Sequence, residues 1–195
     1  VALRAGMHQW FRNHLTCDAM AHFMFRSVGF DPCAETPVLF LDASAPKRTD
    51  YMSNFILIGL QDVLGPAVHV WRPVDYLYTD YGKNHRYLYG NGFTYAYTLH
   101  PSLRQSPITD QQVRKRLQAK YYKAVLFGSY GRSIPFWKEV VRSLPRNRIW
   151  AVNGNDRGPF DPKGPTGIRF HLSGQVNRST RFVRECQRQC TASPL

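Results

Sequence analysis

The sequence predicts a three-layer α/β fold with a mostly parallel sheet of four or five strands and an N-terminal helical leader. Three observations carry the prediction. Short apolar runs recur at residues 38–42, 67–71, 124–129 and within 148–156. Stretches with helical apolar spacing separate them. Gly, Pro, Asn and Asp gather at the junctions. Strands alternating with helices pair in parallel through right-handed crossovers. The expected strand order is 2-1-3-4.

Residues 1–36 read as a leader or appendage. Trp10, Phe11, Leu15, Met20, Phe23 and Met24 sit near helical spacing, and Gly29 and Pro32 close the segment. His14, Asp18 and His22 follow at i, i+4 and i+8, which on one helix would share a face. The better reading of them is a polar edge and not a metal site. The main α/β domain spans 37–175. Its first strand is "VLFLD". The first helix carries Met52, Phe55, Ile56, Leu60 and Leu64, with Thr49 or Asp50 as cap and Gly65 as stop. "AVHVW" is the second strand.

A long aromatic segment follows, with seven tyrosines from Tyr76 to Tyr97. Loops of this length inside a domain are often functional. Its rings suit sugars or bases, and Tyr89, Phe93 and Tyr95 are the candidates; a lid packed on the sheet is the other reading. "TDQQVRKRLQAKY" predicts a surface helix with Val113, Leu117 and Tyr121 inward. A third strand, "AVLFGS", leads to a helix at "PFWKEVVRSL". "IRFHLS" is a candidate fifth strand, and residues 176–195 form a basic C-terminal helix or tail.

The chain has 195 residues and a net charge of +13, all of it carried by residues 101–195. A basic half attracts nucleic acid, anionic lipid or phosphorylated small molecules. No apolar run approaches the length of a membrane span. Polar residues break any secretory-signal core near the N-terminus. Few cysteines in a chain of this length point to a reducing, cytoplasmic setting. Cys186 and Cys190 lie one helical turn apart, and ordinary thiols are the favoured reading over a shared metal.

Ligands of parallel sheets gather outside the carboxyl ends of the strands. That rule brings Asp42, Ser44, Ser129, Arg132, Ser133, Asn153, Asn155, Asp156 and Arg157 to one rim. The segment "GSYGRS" at residues 128–133 predicts one of two things. Backbone amides after Gly128, with Arg132, could hold an anion. Alternatively the segment is a tight turn, with Ser133 as helix cap and Pro135 in the first turn. The spacing is neither GxGxxG nor GxxxxGK[ST]. His69 and His171 fall in strands and read as packed. His85 and His100 are the freer candidates for proton transfer.

The order of four motifs resembles the N-terminal region of bacterial glycosyltransferase-like proteins. They are "VLFLDASAPKRTDYMSNFILIGLQDVLG", "VDYLYTDY", "YLYGNGFTYAYTL" and "KYYKAVLFGSYGRSIPFWKEVVRSLPRNRIWAVNGND", covering residues 37–156. The family pattern carries an LYGxGFT segment, a glycine-serine turn ending in His-Arg, and a strand ending in Asp-Gly-Glu-Asp. This chain has Gly131 before Arg132, and Asn153-Gly154-Asn155-Asp156 at the last motif. The resemblance implies one Rossmann-like half of a two-domain glycosyltransferase that binds a sugar or nucleotide-sugar. In that reading Asp42 or Asp156 is the base near the acceptor hydroxyl. Gly128, Ser129, Arg132, Ser133, Asn153, Asn155 and Arg157 are the ligand-binding candidates. Nothing in these residues calls for a metal or another cofactor. Two other readings compete: a non-catalytic module for nucleic acid or another polyanion, and a truncated, degenerate domain.

Overall fold

The computed structural model describes residues 2–33, 35–43, 50–152 and 166–168. Five parallel strands form one sheet: β1 (Val38–Leu41), β2 (Val68–Val70), β3 (Ala124–Phe127), β4 (Ile149–Val152) and β5 (Thr166–Ile168). Their order is β2-β1-β3-β4-β5. This extends the expected 2-1-3-4 by one strand on the β4 side. The fifth strand lies a little earlier than "IRFHLS", and it pairs Trp150 with Thr166 and Val152 with Ile168. At the centre, Phe40 pairs with Leu126 and Leu41 with Phe127.

β1, β3 and β4 are apolar throughout because both of their faces are covered. Alternation along each strand divides the core in two. Val38, Phe40, Val68, Leu126, Trp150 and Val152 join one cluster, and Leu39, Leu41, Val125, Phe127, Ile149 and Ala151 the other. The first cluster is covered by α2 (Cys17–Ser27) and α3 (Tyr51–Leu64). The second is covered by α4 (Asp110–Gln118) and α5 (Trp137–Ser143). The result is three layers.

The leader is two helices, not one. α1 (Ala2–His14) ends before Leu15, and Thr16 caps α2. The break separates His14 from Asp18 and His22. Ala21, Met24 and Phe25 of α2 are buried against the sheet's first face. Close approach of α2 to α3 rests on Gly59, where an added Cβ would stand 1.9 Å from the Cys17 carbonyl oxygen. Burial there pushes the Cys17 thiol up to about 11, with Asp62 and Asp18 adding to the effect. Phe30 then packs edge-on to Trp150, at 4.9 Å between ring centres.

α3 starts where the sequence places it. Asp50 Oδ1 accepts from the amides of Met52 and Ser53, and Gly65 ends the helix with φ of 53°. α4 opens with a reciprocal capping box between Thr109 and Gln112. Tyr121 was expected on its inner face, but the helix stops at Gln118 and Lys120 takes φ of 51°. That turn sends Tyr122 into the core and leaves Tyr121 outside. α5 also differs from expectation. It begins at Trp137, its cap position is Phe136 at φ of 58°, and no side chain caps it. Ser133 is therefore not the cap.

Candidate functional site

In this strand order successive strands are added to one side of β1 and then, from β3, to the other, and the crevice at such a switch point is where ligands of open parallel sheets bind. Asp42 follows β1 and Gly128-Ser129 follow β3, so both sequence-predicted groups meet there. Asp42 is buried at 2 % exposure. Its Oδ2 accepts from Ser53 Oγ at 2.6 Å and from Ser129 Oγ at 2.7 Å.

Gly128 explains how three elements come this close. A Cβ there would lie 2.3 Å from Ser53 Oγ, 2.6 Å from Phe40 Cζ and 2.9 Å from Asp42 Oδ2. Only glycine lets β3 pass the carboxylate and the first turn of α3. Its requirement is space, not a positive φ.

Asp50 adds a second carboxylate. Its Oδ1 caps α3, which leaves Oδ2 3.3 Å from Ser129 Oγ and 3.6 Å from Arg132 Nη2. Ser129 thus stands between two carboxylates. Arg132 remains partly exposed at the rim, at 39 % of its side chain. The sequence reading named Asp50 only as a helix cap and did not name Ser53. The usable signal was that one capping carboxylate has two oxygens, and the cap needs one.

The turn after β3 engages its own amides. Gly128 donates to the Leu41 carbonyl, Tyr130 to the Val152 carbonyl, and Arg132 and Ser133 to the Ser129 carbonyl. These donors hold β1, β3, β4 and the turn together, so an anion there would meet Arg132 before it met a row of free amides. Ser133 Oγ is buried, with no hydrogen-bond partner among the described residues. Ser44, Asn153, Asn155, Asp156, Arg157, His171, Cys186 and Cys190 lie outside the described residues.

The aromatic segment divides into an inner and an outer set. Tyr76 Oη donates to Asn54 Oδ1 at 3.2 Å, and Tyr78 Oη exchanges hydrogen bonds with the Gln61 amide. Two buried polar residues of α3 thus anchor the segment. Tyr95 is fully buried and donates to the Tyr89 carbonyl at 2.6 Å. Its ring offers no face to a ligand, although the sequence placed it with the stacking candidates. Tyr89 and Phe93 are exposed, at 67 % and 79 %. Tyr51, next to Asp50, stands edge-on to both Tyr89 and Tyr95, with ring centres 5.1 and 5.7 Å away. An aromatic shelf therefore adjoins the acidic rim.

The remaining candidates are simpler. His69 packs edge-on to Tyr122 and hydrogen-bonds to Arg116 at 2.8 Å. Burial, and then the Arg116 charge, lower its pKa. His100 uses its ring to cap Ser102, and His85 packs on Tyr97. Among the described residues no group of three or more His, Cys, Asp or Glu could hold a metal ion. None of the described helices is long and apolar enough to cross a membrane. No family model matches this chain, no curated protein matches it, and no solved structure matches it.

Proposed function

We propose that this domain binds a sugar or nucleotide-sugar at its switch-point crevice, as one Rossmann-like half of a two-domain glycosyltransferase. The observation that supports this most is the pairing of an acidic, arginine-tipped rim with an exposed aromatic shelf. Asp50 Oδ2, Ser129 and Arg132 adjoin Tyr51 and Tyr89. Carboxylates accept from sugar hydroxyls, aromatic faces take the apolar side of a sugar ring or a base, and Arg132 suits a phosphate. Asp42 acts here through Ser129 and Ser53 as a positioning residue. Its burial keeps it from serving as the base for an acceptor unless the turn opens. The resemblance of residues 37–156 to the glycosyltransferase-like family supports the same reading.

The test is thermal unfolding with UDP-, GDP- and dTDP-sugars, with short single-stranded DNA for comparison, at low and physiological salt. A ligand at about 100 times its Kd adds about 2.7 kcal/mol, which raises the midpoint by roughly 5–11 °C. We expect that rise with one nucleotide-sugar, surviving salt and lost in Arg132→Ala. A cooperative transition that no nucleotide-sugar moves would sink the proposal. The second reading, a polyanion-binding module, is favoured by the +13 charge of residues 101–195. It predicts a shift with DNA alone that salt removes. No shift with any ligand would leave the degenerate-domain reading.

A further inference from the structure

α1 has an apolar stripe that none of the described elements covers. Every side chain from Leu3 to Asn13 is exposed. Leu3, Met7, Trp10 and Phe11 are 79, 53, 47 and 49 % exposed, and Leu15 just beyond is 54 % exposed. At 3.6 residues per turn these five fall within an arc of about 140°. Arg4 falls just inside one border of that arc, between Phe11 and Leu15, and His8 and Arg12 follow at i+4 and i+8 just beyond it. Residues 1–17 contain no Asp or Glu.

We propose that α1 is an interfacial helix that lies in the headgroup layer of an anionic bilayer. Its 13 residues measure about 20 Å, short of the roughly 30 Å hydrocarbon core, so it lies on the surface and does not span. Leucine, methionine and two aromatic rings enter the boundary between headgroups and acyl chains, where Trp is favoured. Arg4 and Arg12 extend from the border of the stripe to the lipid phosphates. The choice of partner follows from charge. A second copy of the helix would bring arginines together without a carboxylate on either side, whereas an anionic surface pairs them. The net charge of +13 draws the whole protein to the same surface.

The experiment is co-sedimentation of the full chain with vesicles. One set is phosphatidylcholine alone, and the other contains about a third phosphatidylserine. We expect binding to the anionic set, weak binding to the neutral one, and a blue shift of emission that Trp10→Phe removes. Phe11→Asp and Trp10→Asp should each cut partitioning by about tenfold or more. Both sites are exposed, so the unfolding midpoint should stay put and report that the fold is intact. Unchanged partitioning of both variants would overturn the proposal and move the contact to other basic residues. Absence of binding to either vesicle would overturn it too. So would a concentration-dependent dimer that Phe11→Asp abolishes, which would give the stripe to a second copy.

Discussion

α1 and α2 follow one another with only Leu15 and Thr16 between them, yet they treat their apolar residues in opposite ways. In α2, Ala21, Met24 and Phe25 are buried against the core. In α1, Leu3, Met7, Trp10 and Phe11 stay outside. Helical apolar spacing is present in both. The difference lies in the receiving surface. α3 offers α2 a notch at Gly59, where backbone meets backbone, and no element of the described chain offers α1 anything similar. Spacing reports that a helix has an apolar face; it does not report where that face goes.

The largest effect should come from cutting the two faces in the same way. Phe25→Ala removes a fully packed ring and should lower stability by about 3–5 kcal/mol. Phe11→Ala should stay within about 0.5 kcal/mol. Equal losses in denaturant unfolding would mean that α1 is docked after all. The glycines give the next contrast. Gly59→Ala drives a methyl into the Cys17 carbonyl and should cost about 3 kcal/mol, loosening α2. Gly6 has no neighbour within 4 Å of an added Cβ, so Gly6→Ala should be neutral or add up to about 1 kcal/mol of local helix stability, read by circular dichroism.

The switch point supplies an intermediate case. In Gly128→Ala the new methyl meets a serine hydroxyl that is able to rotate, but also the Phe40 ring. A loss of about 1–3 kcal/mol is expected, with any ligand binding at the rim weakened as Ser129 shifts. Wild-type stability in that variant would show that β3 has room to move at the crevice. His69 should give the smallest effect. Its folded pKa is lowered, so the unfolded chain takes up the proton first. Its contribution is complete above about pH 6.5 and is lost progressively as pH falls from there to the lowered folded pKa. The residue is partly exposed, so screening reduces the effect. His69→Gln should flatten the acid side of the stability curve slightly, and superimposable curves would remove His69 from the account.

The sheet was legible in the sequence because strands covered on both faces are unbroken apolar runs, and "VLFL" and "AVLF" are such runs. α3 was legible because Asp50 and Gly65 mark its ends. The start of α5 was not, because Phe136 at positive φ is a choice forced by the surrounding packing, with no sequence mark. The break at Thr16 was missed for a related reason: the apolar spacing runs on through it. For the site, topology alone brought Asp42 and Ser129 to one edge. What it could not bring was the third dimension of that edge, where Ser53 reaches Asp42 and the capping Asp50 turns its other oxygen to Ser129. The split of the tyrosines into inner and outer sets was hidden too, since it depends on Asn54 and Gln61 holding the inner ones.

The pairing of β1 with β3 also has a consequence for the chain as it is made. Phe40 waits for Leu126, and α3, β2, the tyrosine segment and α4 must all be synthesised in between. At about 5–20 residues per second, that interval is on the order of ten seconds on the ribosome. During it, β1 has β2 on one side and an open apolar edge on the other. Ribosome-associated chaperones would meet the nascent chain at that edge, and a pause in translation before residue 124 would lengthen the exposure.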